Sequence, residues 1–107
     1  MKKLKPPQHL KQHGAAFWTE VQAEYSIDDG AGLALLTAAA EALDRMRAAQ
    51  ESIEKHGELV LDRYQQLKTN PACVLERDSR VGFLAALRQL NLDIEPLRDG
   101  PGRPPGR

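Results

Sequence analysis

The segment from Asn70 to Leu92, N-P-A-C-V-L-E-R-D-S-R-V-G-F-L-A-A-L-R-Q-L-N-L, constrains this chain most, because it joins a marked helix start to more apolar surface than one helix face needs. Asn70 can cap the first free amides, and Pro71 suits the first turn, where its missing N–H costs nothing. A helix is therefore expected to begin near Ala72 and to end near Asn91, ahead of the stop at Ile94-Glu95-Pro96. At about 100° per residue, Val81, Phe83, Leu84, Leu87 and Leu90 spread over well more than half of the circumference, wider than the stripe of an ordinary surface helix. Both sides of this helix need cover, one from its own subunit and one from a neighbour.

Size points the same way. Of 107 residues, the segments outside roughly Ala15 to Leu92 are polar and rich in proline and glycine, which leaves about 80 residues for a single core. A domain this small buries only about 60% of its unfolded surface, so a second chain would add a large share of its stability.

Zero net charge hides an uneven layout. Residues 1–13 carry Lys2, Lys3, Lys5 and Lys11 and no acid, whereas residues 14–94 hold eight lysines and arginines against thirteen acids, a net charge of −5. Arg98, Arg103 and Arg107 give the last thirteen residues a small positive excess over Glu95 and Asp99. A polyanion would be gripped by the basic ends and not by the average surface; solubilising tails are the plainer alternative.

Three helices are expected along the chain. The first runs from Ala15 to Tyr25, with Phe17, Val21 and Tyr25 as one stripe and Trp18 beside it. Ser26-Ile27-Asp28-Asp29 has the spacing of a capping box and introduces a long second helix ending near His56, with Gly57 at its C-terminal stop. Within that helix Leu36, Ala39, Leu43, Met46, Gln50 and Ile53 occupy heptad a and d positions, a seam for other helices. At roughly 40 Å it is longer than one small partner helix can cover. Glu58 to Lys68 reads as a short β-hairpin or extended segment without a strong glycine turn. Residues 1–13 read as an extended arm, because Pro6 and Pro7 oppose helix, and residues 95–107 as a disordered tail. The fold class is thus mainly α: a three-helix core with a long central helix, a short hairpin or extended segment before the last helix, and flexible arms at both ends. The corresponding division is 1–14 basic arm, 15–94 helical oligomerisation domain and 95–107 tail.

Catalytic patterns do not emerge. His9 and His13 share a spacing of four but have no third ligand nearby, so no metal site is expected. Neither a glycine-rich phosphate loop nor a G-x-S-x-G elbow occurs, and no cofactor is expected. The single cysteine, Cys73, cannot form an intrachain disulfide and suits a small packed thiol in a reducing compartment. The N-terminus lacks the apolar core of a secretory signal, and the Ala-rich stretch Ala31–Ala40 is far short of the ~20 residues that cross a bilayer, so no membrane span is expected. Gly102-Arg103-Pro104 matches in three residues the core with which some tails enter the minor groove of A·T-rich DNA, but so short a match is outweighed by the plain reading as a flexible tail.

The segments L-K-P-P-Q-H-L, A-A-F-W-T-E-V, L-L-T-A-A-A-E-A-L-D-R and N-P-A-C-V-L-E-R-D-S-R-V-G-F-L-A-A-L-R-Q-L-N-L together resemble, in order and spacing, the small subunits of phage terminases over Leu4 to Leu92. The chain departs from that family's pattern at Gln65, where a turn glycine is common, and at Asn70, where histidine often precedes the proline. The resemblance implies a helical, non-catalytic subunit that forms a ring-like homo-oligomer, binds double-stranded viral DNA and regulates the large ATPase and nuclease subunit in the host cell cytoplasm.

On that reading Lys2, Lys3, Lys5 and Lys11, with Arg103 and Arg107, would follow DNA phosphates, since flexible cations track a backbone without reading bases. Leu36, Leu43, Met46, Ile53, Val81, Leu84, Leu87 and Leu90 would form the oligomer interface. A helix-turn-helix reader built from the first two helices is disfavoured, because Asp28 and Asp29 would face phosphates. The alternative is a helical assembly or regulatory protein that binds no DNA.

Overall fold

The structure, a computed structural model, describes residues 4–91. Lys2 and Lys3, Leu92 and the expected tail with Arg103 and Arg107 lie outside the described residues. Three helices and a hairpin follow in the order α1 (Gln12–Tyr25), α2 (Gly30–His56), β1 (Leu59–Leu61), β2 (Leu67–Thr69) and α3 (Ala72–Leu90). The mainly helical architecture is the expected one, with a two-stranded hairpin before the last helix.

Helix α1 begins three residues before the expected Ala15, because its N-terminal cap comes from another helix. Lys11, the residue ahead of α1, makes no side-chain cap. Asp44, near the middle of neighbouring α2, accepts instead from the backbone N–H groups of Lys11 and Gly14, both at 2.7 Å. A carboxylate at a helix N-terminus satisfies orphan amides and meets the positive end of the dipole. The preceding segment is not a free extended arm. Leu10 closes a turn onto the Pro7 carbonyl at 3.2 Å and packs against the core, and His9 Nε2 lies 2.6 Å from Glu41 Oε2 on α2.

The buried face of α1 differs from the expected stripe. Gly14, Trp18 and Val21 are buried, Phe17 is on the flank, and Tyr25 is exposed. Trp18 gains by lying over the alanine surface of α2, where Leu36 and Ala40 meet it and its indole N–H donates to Thr37 Oγ1 at 3.3 Å. Buried indoles generally find such a partner.

The link between α1 and α2 also corrects the expected capping box. Ser26 ends α1 in the left-handed region (φ 49°), its N–H donating to Gln22 O at 2.9 Å. Asp29 is the N-cap of α2, its carboxylate accepting from Gly32 N–H at 2.8 Å. At the far end Gly57, with φ 88°, donates to Ile53 O at 2.7 Å, the stop that its position promised.

Helix α2 is the spine. Leu36, Ala39, Leu43 and Met46 are buried, and Gln50 and Ile53 are half-buried, so the heptad seam is filled by α1 and α3 of the same chain. Leu36, Leu43 and Met46, expected from sequence at an oligomer interface, are buried within the single chain. Helix α3 runs antiparallel to α2: Gln50, near the end of α2, donates to Glu76 at the start of α3 at 3.0 Å, while Leu90 reaches the Leu36 cluster at the other end. Its buried residues, Ala72, Ser79 and Ala86, recur every seven positions. Small side chains suit close approach of two helices, and on α2 Ala42 and Ala49 are also buried, seven residues apart. Phe83 closes the third side, edge-on to Phe17 with ring centroids 5.3 Å apart.

The hairpin is tied at its base and locked at its tip. Buried Asn70 donates from Nδ2 to Gly57 O and accepts at Oδ1 from Ala72 N–H, both at 2.9 Å, and its own N–H donates to Glu58 O at 2.8 Å. One side chain thus joins the end of α2 to the start of α3, a wider role than the expected cap. Leu59, Val60 and Leu61 pair with Thr69, Lys68 and Leu67 in antiparallel register. In place of a turn glycine, Gln65 takes φ 66°, and Asp62 accepts from the Tyr64 and Gln66 amides at 2.8 and 3.0 Å. Those backbone bonds, from Gln66 first and then Tyr64, hold the Asp62 carboxyl below its ordinary pKa.

Two expected outcomes follow from this packing. A Cβ at Gly14 would lie 2.6 Å from the carbonyl oxygen of Ala40, and a backbone atom cannot swing away. Gly14→Ala should destabilise the chain by about 1–3 kcal/mol in chemical denaturation, as overpacked sites do. Glu76 is held below its ordinary pKa by the Gln50 hydrogen bond and then by Arg80, which also pairs with it. A carboxyl lowered on folding stabilises the folded state above its ordinary value of 4.5 and ceases to do so as the pH falls through the lowered value. Glu76→Gln should therefore be less stable than the parent at neutral pH, with the gap closing as urea denaturation is repeated at progressively lower pH below 4.5.

Candidate functional site

The inner face of α3 is made of small residues, so its larger apolar side chains lie elsewhere. Val74, Val81 and Leu84 are 44%, 62% and 47% exposed, on the side of the helix opposite Ala72, Ser79 and Ala86. With Arg77 and Arg88 they form one row at spacings of three and four, the spacing of neighbours on a helix surface. Among the described residues nothing covers this row. Of the interface set expected from sequence, Val81 and Leu84 are thus open, Ile53, Leu87 and Leu90 are half-buried, and Leu36, Leu43 and Met46 are enclosed.

A second apolar surface was not singled out from the sequence. Leu59, Leu61 and Leu67 are 58%, 57% and 67% exposed. The pairing register and the alternation of a strand put all three, with Thr69, on one face of the hairpin, while half-buried Val60 and Lys68 take the other. The signal was present in the Leu-x-Leu alternation at 59–61, but only the register brings Leu67 beside Leu61. At the tip Tyr64 is largely exposed, with the Arg63 guanidinium 5.3 Å from its ring centre.

The expected DNA-contacting lysines are placed unevenly. Lys5 and Lys11 are described and exposed, and Lys11 is fixed at the start of α1 by its backbone bond to Asp44. Lys2, Lys3, Arg103 and Arg107 lie outside the described residues. On α3, Arg80 pairs with Glu76, and Arg77 lies 3.8 Å from Asp78, so both arginines share their charge with acids of their own helix.

Cys73 is half-buried in the first turn of α3, and His9 is paired with Glu41. Among the described residues no group of three or more histidines, cysteines and acids could hold a metal ion, and no helix is long and apolar enough to cross a membrane. What the chain offers is surface: a helix row and a hairpin face, both apolar, and exposed lysines beside α1. No family model, no curated protein and no solved structure matches this chain.

Proposed function

We propose that this chain is a self-assembling, non-catalytic adaptor of the phage terminase small-subunit kind, which holds double-stranded viral DNA and regulates a large ATPase and nuclease subunit in the host cell cytoplasm. The observation that carries the reading is the open apolar row Val74, Val81 and Leu84 on the outer side of α3. Exposed apolar surface of this kind marks interaction sites in small proteins. The sequence resemblance supplies the kind of assembly, and the basic ends supply the charge for DNA.

In this reading the row on α3 meets a neighbouring subunit, and Lys2, Lys3, Lys5 and Lys11, helped by Arg103 and Arg107, neutralise phosphates. Arms and helix starts that carry lysine suit contacts to the backbone of DNA, which position a protein without reading sequence. The alternative, a helical assembly protein without DNA binding, draws support from the acidic body and from the pairing of Arg77 and Arg80 with acids.

Two measurements test the proposal. Gel shifts with phage genome-end DNA over a range of salt should show a retarded band whose affinity falls with salt, and replacement of the four lysines by alanine should flatten that dependence by roughly one unit of slope per lost phosphate contact. No band at moderate salt would favour the DNA-free alternative, and an unchanged slope would remove the lysines from the contact. Leu84→Asp, at an exposed position that leaves the core intact, should reduce the native particle to smaller species in mass measurements; a particle of parental size would exclude the α3 row as an interface.

A further inference from the structure

Among the described residues the row on α3 is one apolar surface left open, and the leucine face of the hairpin is another. Its strands are three residues long, both outer edges are unpaired, and it packs against no helix over an extended surface. A two-stranded hairpin of this kind is marginal by itself. Its leucine face points away from the body, because Val60 is the half-buried residue of β1.

We propose that the leucine face of the hairpin in one subunit packs on the outer row of α3 in the next, a head-to-tail contact between copies of this chain. The inference rests on the self-assembly proposed above and names the two surfaces that meet. A flat set of three leucines, Leu59, Leu61 and Leu67, faces a helical row of Val74, Val81 and Leu84, so each subunit carries one of each surface. Together the six side chains expose on the order of 500 Å². A standard interface of about 1,600 Å² holds roughly 900 Å² of apolar area, so one such contact provides about half of it, and a subunit with neighbours on both sides makes two.

The hairpin carries Glu58 and Asp62 together with Arg63 and Lys68, so apolar fit and not net charge carries this contact. The hairpin does not fold back on its own row, since both surfaces are open in the single chain and Asn70 fixes the hairpin base at the start of α3. Unlike surfaces that meet head to tail close a ring when the rotation between subunits permits. Two hairpins packed face to face would instead give a two-fold dimer and leave the row on α3 uncovered.

Complementation between two full-length variants separates these arrangements. Leu61→Lys damages the hairpin face and Val81→Glu the helix row, both at exposed positions, so each should keep the parental far-ultraviolet dichroism. In native mass measurements the parent should be an oligomer, and each variant alone should lose that oligomer. An equimolar mixture should recover species containing both chains in equal number, because the intact hairpin of the Val81→Glu chain meets the intact row of the Leu61→Lys chain, and the introduced lysine and glutamate face each other at the damaged contact. A parental oligomer that survives Leu61→Lys or Val81→Glu alone overturns this contact while leaving self-assembly in place, and then another protein or the chain's own terminal segment covers the hairpin. A mixture that remains monomeric overturns the head-to-tail arrangement. A monomeric parent overturns the contact together with the assembly reading.

Discussion

The close seam between α2 and α3 governs the rest of this structure. Ala72, Ser79 and Ala86 are the buried residues of α3, Ala42 and Ala49 are buried on α2, and small side chains let two helices approach closely. That choice has a consequence for the larger residues of α3. With its inner positions given to alanine and serine, Val74, Val81 and Leu84 stand on the outer side. The apolar excess of α3 is therefore partitioned, with Phe83, Leu87 and Leu90 at the margins of the subunit core and the remainder turned to the outside.

Two polar side chains hold the helices to that seam. Asp44 anchors the start of α1 from the middle of α2, so the position of α1 depends on a bond between residues about thirty apart in sequence. Asn70 binds the last turn of α2 to the first of α3 around the hairpin. Each satisfies backbone groups that have no partner within their own helix, and at buried Asn70 an unmade bond costs about 1–3 kcal/mol. The hairpin is held at its base by Asn70 and shaped at its tip by Asp62, while its leucine face receives no cover from the described residues.

Polar side chains pair along and between the helices, as Glu76 does with Gln50 and Arg80 and His9 with Glu41. The two open surfaces differ in shape, one a helical row and one a flat strand face. In the head-to-tail contact proposed above, this difference would give each apolar patch an unlike partner on another copy of the chain.

Much of the fold was legible in the residues, because the signals are local. Gly57 stops α2, Asn70-Pro71 starts α3 at Ala72, and the Ala-rich heptads of α2 announce a long helix. The candidate site was legible only as a surplus of leucine and valine on α3. Sequence periodicity cannot tell which of two apolar sides faces inward when one side also has alanine and serine in register. Tertiary packing decided that, just as it turned Trp18 inward and Tyr25 outward, moved the start of α1 to Gln12 through Asp44, and placed Leu67 beside Leu61. The sequence alone determined where α2 stops, where α3 starts and how much apolar surface the helices carry. Only the three-dimensional structure decided which of that surface is already covered, because burial depends on which residues from distant parts of the chain come close enough to touch.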